Sequence, residues 1–228
     1  MEYNTWVFIA ELVGVSVFAI TGALAAQGKR LDILGVVVLA IVTALGGGTI
    51  RDITLNAHPV SWIANNSYLW VAILSAVAAF IICRYWVSYP RRILLILDAA
   101  GLALFSVLGA QKAAALGMTP IIIVMMACIT GCAGGMIRDI LTREIPLILH
   151  RDGELYATCA LIGAVAYVIL DGLIDERLLA LTCMIIIFVT RLAAMFGSLR
   201  LPEFVVAGHK LESPEEARDT QVSGHKDV

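Results

Sequence analysis

Gly47-Gly48-Thr49-Ile50-Arg51-Asp52-Ile53 and Gly134-Gly135-Met136-Ile137-Arg138-Asp139-Ile140 are one stretch met twice, 87 positions apart. The same shift, without a gap, lays Gly14 on Gly101, Phe18 on Phe105, Gly22 on Gly109, Ala23 on Ala110 and Pro59 on Pro146. Fifteen of the 46 positions from Gly14 to Pro59 are identical under it. Matches among Ala, Val and Ile are common in apolar sequence and count for little. Paired Gly, Arg, Asp and Pro at one offset are not, so the chain reads as a duplication. A duplicated membrane unit with an odd number of spans inserts its second copy upside down, a geometry typical of proteins that move small solutes.

The 228 residues are 60% hydrophobic and only 15% charged, with a mean hydropathy of +0.90. Soluble domains average nearer a quarter charged residues. Apolar runs of about 20 residues, enough to cross roughly 30 Å of hydrocarbon, recur along most of the length. The first run has no basic segment before it and is too long for a cleaved leader, so it reads as a retained span. Cys83, Cys128, Cys132, Cys159 and Cys183 all lie in apolar runs with no histidine nearby, which reads as buried, inert thiols.

Breakers divide the chain into seven expected helices: about 5–27, 33–56, 68–85, 93–116, 120–143, 154–170 and 178–197. The fold class is therefore all-α transmembrane, with two inverted three-helix repeats plus a seventh helix. The expected divisions are residues 1–87, 88–174, 175–200 for the seventh helix, and a disordered cytoplasmic tail at 201–228. With seven spans the Lys and Arg residues divide three against thirteen. This places the N-terminus outside and the C-terminus in the cytoplasm.

The chemistry lies where the copies agree. Gly46, Gly47 and Gly48 weaken the second helix by about 1.5–3 kcal/mol relative to alanine. Gly131, Gly134 and Gly135 do the same to the fifth. Glycine permits either close helix approach or a kink that opens backbone groups to a cavity; matched positions in inverted copies favour the kink. An arginine within a span costs at least about 2.5–3.5 kcal/mol unless it snorkels or finds a partner. Asp52 and Asp139, adjacent in sequence to Arg51 and Arg138, are expected to face away from them. The shift superposes Glu11 on Asp98 instead, which implies pairs of Glu11 with Arg51 and Asp98 with Arg138. Such pairs fit gates, fixed-charge pore linings or structural ties. Lys112, whose repeat mate is Ala25, either snorkels or places positive charge at a pore mouth. The mates Thr43 and Thr130 either bond back to their own helices or line a polar cavity. No nucleophile–base set, zinc spacing or phosphate loop occurs, so no enzymatic activity is expected.

The doubled motif and the three-plus-three-plus-one layout resemble the trimeric intracellular cation (TRIC) channel family, its short prokaryotic members in particular, over about residues 5–197. The resemblance implies a homotrimer in membrane lipid, in the cell (plasma or inner) membrane. Each subunit would carry its own pore for monovalent cations, chiefly potassium. No cofactor and no nucleic-acid partner are expected. By position, Gly46, Gly47, Gly48, Gly134 and Gly135 would be kink residues of pore-lining helices two and five. Arg51, Asp52, Lys112, Arg138, Asp139, Thr43 and Thr130 would lie along the ion path, supported by Glu11 and Asp98. Ala133 departs from a triple glycine in the second copy. Related bacterial proteins are also grouped as glycine transporters, so a secondary transporter of a small amino acid such as glycine is the alternative.

Overall fold

A computed structural model describes residues 5–85, 91–149 and 155–197; the expected disordered tail and the 150–154 connection lie outside the described residues. Among the described residues there are eight helices and no strand. They are α1 (Thr5–Ala25), α2 (Ile33–Thr54), α3 (Ser61–Ala64), α4 (Ser67–Tyr85), α5 (Arg91–Ala115), α6 (Pro120–Leu141), α7 (Tyr156–Leu170) and α8 (Glu176–Gly197). The eighth element is the single turn α3, set in a connection read from sequence as a plain breaker. Five helices, α1, α2, α5, α6 and α8, are long and apolar enough to cross a membrane. The apolar parts of α4 and α7 are shorter; α7, with 15 residues, spans about 22 Å at 1.5 Å per residue.

Local chemistry sets the ends. Asp32 caps α2 by accepting the Gly35 amide at 2.7 Å, and Pro120 opens α6 where its missing N–H costs nothing. The mates α2 and α6 then finish alike. Leu55 and Thr142 donate their amides to Arg51 and Arg138, and Asn56 and Arg143 turn left-handed at φ 51° and 58°. Ala57 and Glu144 next donate to the carbonyls of Asp52 and Asp139.

The glycine clusters do not break these helices. Both α2 and α6 run as continuous helix through them. The glycines instead bring the two helices into backbone contact. A Cβ on Gly47 would overlap the Thr130 carbonyl oxygen, and one on Gly134 would overlap that of Thr43. As one residue number rises the other falls, so α2 and α6 cross antiparallel. The contact is also reciprocal, each helix offering the same residues to the other. α1 and α5 repeat the pattern: Phe105 fills the space beside Gly14 and Phe18 that beside Gly101, the rings 5.1 Å apart. Phe18, Phe105, Leu102, Leu108 and Ala40 are buried around this crossing. α8 packs on α5 and α7, outside the reciprocal set.

Candidate functional site

Six residues beyond the centre of the α2–α6 crossing, about 9 Å along each helix, stand Arg51 and Arg138. Because the helices are antiparallel, the two lie on opposite sides of the crossing, about 18 Å apart along the axis. Both are almost wholly buried, at 2% and 1% exposure, so each must be matched by carboxylates.

Around Arg51, the guanidinium Nε donates to Asp52 Oδ1 at 2.7 Å and Nη2 to Ser61 Oγ at 3.2 Å. Nη2 also lies 3.5 Å from Glu11 Oε1. Tyr68, at the start of α4, donates its hydroxyl to Glu11. Asp52 Oδ2 accepts both the amide and the hydroxyl of Ser61, at 2.9 and 2.6 Å, which anchors α3. Lys112 reaches from α5 to Asp52 Oδ1 at 2.7 Å and to Ser61 Oγ at 3.2 Å. A cavity of about 410 Å³, lined by Thr5, Phe8, Ser61, Tyr68 and Lys112 among others, opens onto this group.

Around Arg138, Nη1 donates to Asp98 Oδ1 at 2.6 Å and Nε to Asp139 Oδ1 at 2.8 Å. Asp139 Oδ2 accepts the Leu147 amide at 3.0 Å, as Asp52 accepts that of Ser61. Gly135 leaves its side to this group: a Cβ there would stand 3.4 Å from both Asp98 Oδ1 and the Tyr156 hydroxyl, and 3.7 Å from Arg138 Nη2. A second cavity, about 270 Å³, is lined by Ala25, Gln27, Lys29, Arg138, Asp139, Thr142 and Glu144 among others. Lys29 and Glu144 form an ion pair at its edge. The two cavities share no lining residue.

The expected pairs Glu11–Arg51 and Asp98–Arg138 are therefore present. The expectation that Asp52 and Asp139 turn away from their neighbouring arginines is wrong. Adjacent Cβ atoms do diverge on a helix, but the arginine side chain is long enough to curl back, so that Nε meets the next carboxylate. Thr43 and Thr130 are fully buried and bond back to Leu39 and Met126. With Gly47 and Gly134 they close the middle of the molecule and line neither end cavity. Gly46 faces a separate apolar groove of about 310 Å³ with Ile137, Trp62 and Leu69. Gly48 borders a pocket behind Arg51.

Four participants escaped sequence reasoning. Ser61 lies in a connection. Tyr68 and Tyr156 are 88 residues apart, so a strict 87-residue shift misses their equivalence. Arg191, in α8, is 2% exposed with its guanidinium carbon 5.1 Å from the Tyr156 ring centroid. An arginine inside a 22-residue apolar helix was the available signal.

Helices of spanning length, with charge buried at two depths, define a multi-pass membrane protein. The family model described as "Glycine transporter" matches residues 8–84 and again residues 95–172, its two starts 87 residues apart. The UPF0126 inner membrane protein YadS of Escherichia coli strain K12 is 41% identical over 204 residues, 88% of this chain and 97% of that protein. Among solved structures, the TRIC trimeric intracellular cation channel orthologue from Rhodobacter sphaeroides is 39% identical with a TM-score of 0.80. That match covers 86% of this chain and all of the other. A prokaryotic TRIC channel is 31% identical, also with a TM-score of 0.80, over 86% of this chain and 99% of its own. The chain belongs to this family of UPF0126 membrane proteins and prokaryotic TRIC channels.

Proposed function

We propose that the protein is a homotrimeric, potassium-permeable channel of the inner membrane, with an ion path inside each subunit between α2 and α6. The observation that carries this reading is the antiparallel α2–α6 crossing, with a cavity lined by Lys112 toward one end of the molecule and a cavity lined by Lys29, Arg138, Asp139 and Glu144 toward the other. The likeness to cation channels at 39% and 31% identity over nearly whole chains supports it. α1, α2 and α4 form one half and α5, α6 and α7 the other, inverted about a pseudo-two-fold axis in the membrane plane. The reciprocal glycine contacts and the doubled family match support that division. The excess of Lys and Arg places the Lys29–Glu144 end and the C-terminus in the cytoplasm and the N-terminus outside. In the conformation described, Phe18, Phe105 and the glycine contacts close the path. Conduction requires α2 and α6 to part there.

Planar-bilayer recording of the purified protein tests the reading. Unitary potassium currents are expected. Saturable glycine uptake into proteoliposomes with no unitary current would overturn it. Carriage of glycine is not favoured, because the similar solved structures are of cation channels. Cysteines at Thr43 and Thr130 should be protected from aqueous thiol reagents in closed channels and modified in open ones. Protection in both states would remove α2 and α6 from the path.

A further inference from the structure

The two charged groups are built alike except at one place. Asp52 and Asp139 each accept the Nε of the preceding arginine, and each accepts an amide from the loop that follows. Asp52 accepts one more cation, the Lys112 ammonium at 2.7 Å, so two carboxylates, Glu11 and Asp52, face a guanidinium and an ammonium. In the other half Arg138 is, among the described residues, the one cationic side chain bonded to Asp98 and Asp139. The repeat mate of Lys112 is Ala25, and Ala25 lines the 270 Å³ cavity together with Asp139. The missing ammonium is thus replaced by space. The Asp139 side chain is 10% exposed where that of Asp52 is fully covered. Among the described residues, the other charges at that cavity, Lys29 and Glu144, are engaged with each other. Arg191, the further buried cation at this end, lies over the Tyr156 ring and does not line the cavity.

We propose that a monovalent cation the size of an ammonium group, such as potassium or rubidium, binds in this cavity against Asp139, where Lys112 sits against Asp52. Gln27 and Thr142, which line the same cavity, each carry a side-chain oxygen that would add to its coordination. One guanidinium already serves both carboxylates, so a single positive charge completes the group. Among the described residues, no cluster of three or more acidic, histidine or cysteine side chains could hold a metal ion, which disfavours a divalent one. One half therefore carries its cation covalently, as Lys112, and the other takes one from solution. This deepens the cation-channel reading and rests on it for the identity of the ion.

Crystals of the full chain grown with rubidium chloride test the site by anomalous scattering, against crystals grown with choline chloride. A rubidium peak is expected within coordination distance of the Asp139 carboxylate. Rubidium at about ten times its dissociation constant should raise the melting temperature by about 3–6 °C. Ala25→Lys should abolish the peak and melt, without rubidium, as high as wild type with it. Ala25→Met should abolish the peak without that gain. Should both variants fail to fold, Lys112→Ala should add a second rubidium peak beside Asp52. No peak in wild type, or a peak that persists in Ala25→Lys, overturns the proposal. Unitary currents without any rubidium peak refute this site and leave the channel reading standing. A peak at Asp139 in a protein that passes no current refutes the channel reading and leaves the site.

Discussion

Substituting alanine at Gly47, Gly134 and Gly48 separates two uses of glycine by the sign of the effect. If these glycines act by loosening the helix, alanine stiffens it and should stabilise the protein by about 0.5–1 kcal/mol at each position. The structure predicts that sign for Gly48 alone, where a Cβ meets nothing nearer than Arg51 Nη2 at 3.9 Å. At Gly47 and Gly134 the Cβ overlaps a backbone carbonyl oxygen of the facing helix, which no rotamer change can move. The helices must separate by about 1 Å to restore ordinary contact, and overpacking of this kind costs about 1–3 kcal/mol. Subtracting the propensity gain at mid-range leaves a net loss of about 1.3 kcal/mol, a fall of roughly 3–5 °C in melting temperature for a chain of this length. Thermal unfolding of the three variants in one detergent, followed by near-ultraviolet circular dichroism, reads the difference. If Gly47→Ala and Gly134→Ala melt above wild type, as Gly48→Ala should, the close-approach account is refuted and the kink account returns.

Arg138→Met should destabilise the protein by about 3–5 kcal/mol in denaturant titrations, because it strands Asp98 and Asp139 in the interior. Lys29→Gln, at a solvent-exposed pair, should cost no more than about 1 kcal/mol in the same titration, and equal losses would contradict the burial argument. Arg191→Leu and Tyr156→Leu should show a coupling of about 0.5–2 kcal/mol in a double-mutant cycle, whereas strict additivity would mean the ring and guanidinium do not interact. Phe18→Ala should lower stability by about 3–5 kcal/mol and raise the open fraction in bilayer recordings; an unchanged open fraction would show that the aromatic pair is not part of the closure.

Much of this was legible because the duplication supplies its own comparison. The shift that aligned the two Arg-Asp pairs also aligned Glu11 with Asp98 and exposed Lys112 against Ala25, the asymmetry on which the cation site turns. The apolar runs located the long helices because lipid leaves the backbone few alternatives. What failed did so for definite reasons. Glycine in a membrane helix carries one sequence signal and two structural uses, and only the facing helix, with Thr43 or Thr130 against it, selects between them. The Arg51–Asp52 contact defeats a rule based on Cβ spacing because arginine's reach exceeds that spacing. α3 is one turn, Ser-Trp-Ile-Ala, too short to show a period. Arg191 sits near the end of its helix, where a charge tally counts it as cytoplasmic before burial is known.

On the channel reading, the bonding also decides where such a path can open. The two ends are tied by charged hydrogen bonds between helices: Lys112 to Asp52, Arg51 to Ser61, and Arg138 to Asp98. Breaking one of these inside the protein leaves a charge without its partner, a loss of several kcal/mol. At the middle, the hydroxyls of Thr43 and Thr130 are spent on their own helices. The glycine faces of α2 and α6 meet there through van der Waals contact, each atom pair worth only about 0.1–0.2 kcal/mol. Parting the helices at that level sacrifices dispersion but no ion pair, and water entering behind them can solvate the freed carbonyls of Thr43 and Thr130. The least costly motion therefore hinges on the two charged ends and opens the crossing between them. That is why alanine at Gly47 or Gly134, by forcing the helices apart, should favour conduction even as it lowers the melting temperature.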